Sequence, residues 1–383
     1  MTKHKDNIGG VIRGLLNGVK HTPETIAPLI DIDRKTIDAV IEGKAPLTEE
    51  IERAIVSITG INQRDLYPAE LADQFPIIDD TDNGVVVCRA ADTAKSERTL
   101  SRGPANTPYY IYADTAMSNL STFRPEWIKE LYLHDGESAD LPDWAFNKGH
   151  FEHQMTYFIG PVNFYWIDKD GKRRVEQMNT GDTNYIVPFV PHTFTTRKEG
   201  EGLILAVTYG GAIAGPGFKG QITKLSIEDY LKQTKEKLAT VNFVKDEKVV
   251  DGVAILKHEN AGDHLVGSSY QPDTRVRELV FTSGQNEISE MVDSDRWVYN
   301  VGTEAVTLAW NGQTAEFKPD DSLFIKPGTK HVFQKIGSGD GAKLLVVDIK
   351  PAAGDPYQEL KMIETYSGDN GLRRVHTETT RWY

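Results

Sequence analysis

Two stretches far apart in this chain share one spacing of isoleucine, proline and histidine: GDTNYIVPFVPHTF at 181–194 and DDSLFIKPGTKHVF at 320–333. Aligned at Gly181 and Asp320, they set Ile186, Pro188 and His192 on Ile325, Pro327 and His331. An internal repeat constrains the fold strongly, because each copy must bury the same pattern of side chains in the same kind of unit. Aligning Gly160 with Gly302 extends the match and sets Val292 and Arg296 opposite His150 and Gln154. The copies therefore differ at the positions where polar chemistry would sit.

Around the repeat, short apolar runs read as strands: GVVVCRA, PYYIYAD, HQMTYFIG, NFYWID, TNYIVPF and LILAVTYGG, then again from GVAILKH to LLVVDIK. Turn signals such as KDGK at 169–172 separate them, and many short strands with Gly and Pro punctuation indicate a sandwich or barrel. The first 70 residues differ, with apolar residues at helical spacing through 21–61. Thr22 is placed to cap one helix, with Pro23 at its first position and Glu24 in its first turn. Thr25 stands where an acid would complete a capping box, so the box is expected to be missing. Asp33 is placed to cap the next helix, and short helices joined by tight turns read as a helix-turn-helix-like bundle. SIEDYLKQTKEKLATV reads as a helix capped by Ser226 with Asp229 in the box position.

A chain of 383 residues is too long for one ordinary core, so several domains are expected. A net charge of −13 argues against a broad nucleic-acid surface while leaving room for a small anionic ligand held by a few local cations. Residues 1–66 hold nine Lys/Arg against ten Asp/Glu, and the recognition-helix candidate DRKTIDAVIEG offers only Arg34 and Lys35 as cations. A gene regulator with a sensor barrel would need a net positive face there, so nucleic acid is not an expected partner. With no apolar run of 18 residues and no signal-type apolar region at the N-terminus, no membrane contact and a cytoplasmic location are expected. The single Cys88 excludes an intrachain disulfide and reads as a buried strand residue.

The stretch GHFEHQMTY at 149–157 carries the chemistry. If it is a strand, alternation puts His150, Glu152 and Gln154 on one face and His153 on the other. His192 would join them from the second motif. Two imidazoles and one oxygen donor leave three open positions on Fe(II), enough for a chelating substrate and O2 together. A glutamine carbonyl is a weaker, neutral donor than a carboxylate, and Glu152 is an obvious rival. Spacing does not choose between them. His153, His258, His264 and His331 read as ordinary satisfied histidines. Lys20, Arg102, Tyr112 and Asn147 form a candidate anion-binding set, since charge-assisted bonds from Lys and Arg suit a phosphate-like group. A metal-free binding or storage barrel is the remaining alternative, made less attractive by the paired histidines and the cations.

The two motifs resemble those of cupins, which implies an α+β chain. Its N-terminal helix-turn-helix-like bundle (1–72) would be followed by two cupin (double-stranded β-helix) barrels. The first barrel, 73–225, would be catalytic and the second, 251–350, metal-free. A linker helix at 226–250 would join them, and 351–383 would form a C-terminal extension. A lysine in the helical region, an arginine followed by P-x-Y-x-Y, then N-x-x-H and G-D…P-x-x-x-H resemble the phosphonate-oxidising cupin iron enzymes. That group includes hydroxyethylphosphonate dioxygenase and hydroxypropylphosphonate epoxidase. The resemblance runs through the helical region and both barrels, without a second full helical domain between them. In the dioxygenase a carboxylate ligand lies six residues before the second histidine, where this chain has Ile186; in the epoxidase a glutamate lies at the place of Gln154. Glutamine there resembles the members that release methylphosphonate. The resemblance thus implies Fe(II) on His150, Gln154 and His192, with Glu152 in a supporting role. It implies 2-hydroxyethylphosphonate held by Lys20, Arg102, Tyr112 and Asn147, with O2 as co-substrate and no 2-oxoglutarate. Carbon–carbon cleavage would give methylphosphonate and carbon dioxide or bicarbonate; the alternative outcome is hydroxymethylphosphonate and formate. A homo-oligomer is expected, with Lys20 supplied by the same or a neighbouring chain.

Overall fold

The computed structural model describes residues 5–59, 61, 63–67, 75, 79–121, 123–136, 138–150, 152–168, 170–186, 190–209, 248–250, 253–260, 274–281, 287–337 and 339–350. Four helices come first: α1 (Lys5–Gly18), α2 (Pro23–Ile30), α3 (Arg34–Ile41) and α4 (Glu49–Thr59). They enclose their own apolar core, in which Ile12, Leu16, Ile26, Ile37 and Ile55 are buried. The sequence was expected to lack a capping box at α2, yet the box is present. The Thr25 hydroxyl accepts from the Thr22 amide at 2.8 Å while the Thr25 amide donates to the Thr22 hydroxyl at 3.4 Å. A hydroxyl fills the acceptor role as an acid would, so no carboxylate is needed. Asp33 caps α3 through the Lys35 amide at 2.7 Å, as its sequence position suggested.

The strands follow as β1 (Val85–Cys88), a short helix α5 (Ala90–Lys95), β2 (Arg98–Arg102), β3 (Thr107–Asp114), β4 (Phe123–Glu130), β5 (His153–Ile159), β6 (Val162–Ile167), β7 (Arg173–Met178), β8 (Thr183–Ile186), β9 (His192–Thr196) and β10 (Leu203–Tyr209). A second series comprises β11 (Lys248–Val250), β12 (Val253–Leu256), β13 (Thr274–Val280), β14 (Glu287–Glu290), β15 (Asp295–Asn300), β16 (Val306–Trp310), β17 (Gln313–Phe317), β18 (Ser322–Ile325), β19 (His331–Lys335) and β20 (Lys343–Ile349). Apart from β1, β11 and β12, each series builds one larger and one smaller antiparallel sheet. The first pairs the order β11-β12-β8-β5-β10-β4-β3-β2 with β7-β6-β9, and the second pairs β1-β18-β15-β20-β13 with β14-β19-β16-β17.

The repeated motifs fall on equivalent elements, β8 with β9 and β18 with β19, and in each the second strand opens on the buried histidine, His192 or His331. The sheets do not respect the boundaries drawn from sequence. β1 pairs with β18 and so belongs to the later sheets, whereas β12 pairs with β8 and belongs to the earlier ones. Pairing across the halves covers edges that would otherwise be exposed. One apolar core runs through the join, holding Phe123, Tyr157 and Val207 together with Trp297, Phe324 and Val347. Of the expected linker helix at 226–250, residues 226–247 lie outside the described residues and Lys248–Val250 form a strand. His264 and the extension at 351–383 also lie outside them. Cys88 sits on β1 as read, half-buried rather than buried. Among the described residues no helix is long and apolar enough to cross a membrane.

Candidate metal and anion site

A cavity of about 110 Å³ opens beside the larger sheet of the first series, and its wall includes Lys20, Arg102, Tyr112, Asn147, His150, Gln154 and His192. All seven site residues singled out in the sequence thus meet in one place. They arrive from four directions: the end of α1, the strands β2 and β3, the segment before β5, and the start of β9.

The alternation argument for His150, Glu152 and Gln154 holds only in part. β5 begins at His153, so the two-residue period relates only later positions, and His150 and Glu152 approach from an irregular segment. Gly149, at φ +81°, makes the turn that a side-chain-bearing residue would resist. His150 still reaches Gln154, with Nε2 at 3.1 Å from Oε1. His153 faces the other way, its Nδ1 2.6 Å from the Tyr185 hydroxyl and its ring stacked on Tyr209. His192 stands with its ring centroid 5.0 Å from that of His150, the planes nearly perpendicular at 86°.

The hydrogen bonds fix which atoms face the cavity. His150 Nδ1 lies 2.8 Å from the Glu152 carbonyl, and His192 Nδ1 lies 2.9 Å from the Val190 carbonyl. A carbonyl only accepts, so each Nδ1 carries the proton and each Nε2 presents a lone pair. Gln154 donates through Nε2 to the Thr156 hydroxyl at 2.9 Å, which turns its carbonyl oxygen toward His150. Burial, opposed by Glu152 and reinforced by Lys20, holds the His150 imidazole below its ordinary pKa. Burial, His150, Arg102 and Lys20 push His192 well below its own. His150 Nε2 and Gln154 Oε1 therefore meet with lone pairs and no proton between them, while His192 Nε2 takes a hydrogen bond from the Asn147 amide at 3.0 Å. A cation relieves that arrangement, so the donor set fits a divalent metal ion. Among the described residues no three His, Cys, Asp or Glu side chains gather to hold a metal, and the third donor here is an amide.

Glu152 also lines the cavity. Its carbonyl takes the His150 Nδ1 proton, and its carboxylate lies 3.6 Å from the same nitrogen, on the ring edge turned away from Gln154. Ile186 pairs across the sheet with Gln154 and is fully buried, presenting an apolar wall.

The anion-binding candidates are held as firmly. Lys20 follows α1 in a Schellman turn, in which the His21 amide reaches the Leu16 carbonyl at 2.8 Å and the Lys20 amide the Asn17 carbonyl at 3.0 Å. Lys20 occupies the left-handed position at φ +55°, which ordinarily falls to glycine and costs a lysine about 1 kcal/mol. Lys20 of this same chain lines the cavity, so the chain carries its own lysine there. Arg102 lies over the rings of Tyr109 and Tyr110 at 4.8 and 5.0 Å and donates to the Ala145 carbonyl and the Thr193 hydroxyl. Asn147 accepts from the His192 amide at 2.8 Å and from the Gly149 amide at 3.0 Å; its amide nitrogen points to His192 Nε2 at 3.0 Å. Glu126, Ile128 and Thr208 also line the cavity and were not singled out in the sequence. Glu126 and Ile128 share one face of β4 with Arg124 and Glu130, a mostly charged row buried in the structure.

His258 and His331 are bonded to protein groups. His258 meets Glu278 at 3.0 Å, and His331 meets the Thr329 carbonyl and Arg296 at 2.9 Å each. Arg296 occupies the place equivalent to Gln154, bonded to Asp348 at 2.6 and 2.8 Å, so a guanidinium supplies the positive charge in the second copy.

No family model matches the chain. The methylphosphonate synthase of Nitrosopumilus maritimus (strain SCM1) is 30% identical over 98% of this chain and 95% of its own length. Among solved structures, the hydroxyethylphosphonate dioxygenase of Streptomyces albus, with 2-hydroxyethylphosphonate and Fe(II) bound, aligns with a TM-score of 0.59 at 23% identity. It covers 91% of this chain and 93% of its own. A variant of 2-hydroxyethylphosphonate dioxygenase aligns at 0.54 and 15% identity, covering 89% and 94%. The structural likeness speaks for a shared mixed fold, and the extent and identity of the sequence match speak for kinship. The chain belongs to the methylphosphonate synthase family.

Proposed function

We propose that this chain cleaves the carbon–carbon bond of 2-hydroxyethylphosphonate in an Fe(II)- and O2-dependent reaction, releasing methylphosphonate and carbon dioxide or bicarbonate. The observation that carries the reading is the convergence of His150 Nε2, His192 Nε2 and Gln154 Oε1 as three lone-pair donors beside a cation-lined cavity. His150, Gln154 and His192 would hold the iron, which supplies Lewis acidity toward the substrate oxygens and the electron exchange with O2. Because Gln154 is neutral, the site stays one unit more positive than a carboxylate set would leave it, which favours a dianionic ligand. Lys20 and Arg102 bring two further positive charges to the phosphonate, and the Asn147 amide and Tyr112 hydroxyl supply neutral donors. Ile186, paired across the sheet with Gln154 and buried, has no atom that could serve as a second oxygen ligand. One O2 per substrate balances the reaction, so neither 2-oxoglutarate nor an external reductant enters.

The architecture we read is a helical bundle followed by two cupin-type barrels that exchange edge strands, the second filled by Arg296 in place of a metal. In the bundle, Arg34 is tied to Glu24 at 2.6 Å and to Asp38 at 3.3 Å. Those ion pairs leave α3 poorly suited to phosphate backbones and favour a structural role for the bundle. Lys20 from the same chain suffices to line the cavity, so the expected homo-oligomer is not required to build it.

Oxygen uptake tests the reading. With Fe(II)-loaded protein, consumption is expected to begin only on adding 2-hydroxyethylphosphonate and to stop at one O2 per substrate. Uptake that required 2-oxoglutarate, or none with this substrate, would overturn it.

A further inference from the structure

We infer that Arg98 is a positioning residue for substrate binding, acting through Lys20: it clamps the turn that carries Lys20 and so aims the ammonium into the anion site. The inference rests on the reading of Lys20 as a phosphonate ligand.

Strand β2 carries Arg98 at one end and Arg102 at the other, and only Arg102 lines the cavity. Arg98 is buried, and all five of its N–H groups have acceptors. Nε donates to the Lys20 carbonyl at 3.0 Å and Nη2 to the Val19 carbonyl at 2.9 Å. The other bonds go to the Ser96 carbonyl at 3.0 Å and to both Asp114 oxygens at 2.9 and 3.1 Å. Arg124 adds a second grip on the Val19 carbonyl at 3.2 Å and shares Asp114 at 3.2 Å. Its Nε reaches Glu126, which lines the cavity, at 3.1 Å.

The end of α1 has carbonyls without intrahelical partners and the negative end of the helix dipole, so two guanidiniums are the groups to satisfy both. Lys20 sits at a left-handed position that suits glycine, so its conformation must be imposed by what surrounds it. The clamp spans the junction between the helical region and the sheet, binding 19–20 to 98, 114 and 124. It therefore fixes the lysine relative to Arg102, which comes from the same strand as Arg98. Asp114 is oriented by both guanidiniums; burial alone would raise its carboxyl, and Arg98 and Arg124 more than offset this, holding it below the ordinary range.

The test is a double-mutant cycle on Fe(II)-loaded protein without O2, reading the dissociation constant for 2-hydroxyethylphosphonate by calorimetry. Lys20→Met is expected to weaken binding about tenfold or more, as loss of a charge-assisted bond does. Arg98→Gln is expected to weaken it by a similar factor while retaining one iron per chain. Arg98→Gln in the Lys20→Met background is expected to change affinity less than twofold, because Arg98 then has nothing left to aim. Multiplying losses, or an Arg98→Gln protein that binds as the parent does, would overturn the inference. If Arg98→Gln does not fold, Arg98→Lys carries the same cycle with three N–H donors on one nitrogen in place of the five-donor fork. Lys20→Met without effect would overturn the reading of Lys20 itself, and the inference with it. That outcome is distinguishable, since it appears in the one single mutant that leaves the clamp intact.

Discussion

At the residue scale, the amide of Gln154 decides what the site can hold, and Thr156 decides which end of that amide faces inward. The Thr156 hydroxyl accepts from Gln154 Nε2 at 2.9 Å. Thr156→Val keeps the shape and removes the acceptor, leaving the amide free to turn its nitrogen toward the imidazoles. Groups that orient a ligand typically contribute 10–100-fold in metal affinity. Fe(II) affinity, measured by anaerobic equilibrium dialysis, is therefore expected to fall by about 10-fold or more in Thr156→Val; a change below about twofold would mean that the amide is oriented otherwise. The choice of Gln154 over Glu152 came from the family resemblance, since spacing alone left both open, and the structure brings Gln154 Oε1 to His150 Nε2 at 3.1 Å. The role of Glu152 was not legible in sequence, because His150 and Glu152 lie before β5, where strand alternation has no force. In the structure the Glu152 carbonyl orients the ring of His150, and its carboxylate lies 3.6 Å from the same nitrogen.

At the scale of elements, the turn between α1 and α2 joins the bundle to the site, and its buried His21 makes it sensitive to pH. Burial first and then Arg98 and Arg124, opposed by Asp114, hold the His21 imidazole down at about 3. The folded state thus binds its proton less readily than the unfolded chain, whose imidazole titrates near 6.5. The stabilisation is full above about pH 6.5 and is lost progressively as pH falls toward 3. Between pH 7.5 and 5.5 the loss attributable to His21 is about 1.4 kcal/mol. His150 and His192 are depressed in the same direction, so the contribution of His21 is read as a difference. His21→Asn is expected to show a shallower fall in urea midpoint over that range than the parent; equal slopes would contradict a neutral buried His21. The helices were legible from apolar spacing and from Thr22 and Asp33. The capping box was not, because the expectation of an acid at Thr25 overlooked that a hydroxyl accepts the same bond.

At the scale of the whole molecule, the chain uses one design twice and gives the copies different charges at their centres. In the second copy, Arg296 is fully buried among Asp348, Glu290 and His331. Arg296→Met would leave the Asp348 carboxylate without its partner, at a cost of about 3–5 kcal/mol in unfolding free energy. Iron content is expected to stay at one per chain, because the first copy is untouched. A variant as stable as the parent, or one that had lost iron, would contradict this division of labour. The repeat was legible because isoleucine, proline and histidine recur at fixed spacing. The exchange of β1 and β12 between the halves was not, because edge pairing depends on which strand lies nearest in space. The spacing of the motifs says nothing about that. The same limit applies to Glu126 and Thr208, which join the cavity only once β4 and β10 lie side by side.

The fate of the carbon bonded to phosphorus decides between methylphosphonate and its rivals, and ³¹P NMR follows it through the phosphorus signal. The protein is loaded with Fe(II) without oxygen, mixed with 2-hydroxyethylphosphonate and then exposed to O2. A methylphosphonate resonance is expected to grow as substrate disappears, with no hydroxymethylphosphonate; a hydroxymethylphosphonate resonance in its place, or unchanged substrate, would rule out methylphosphonate release.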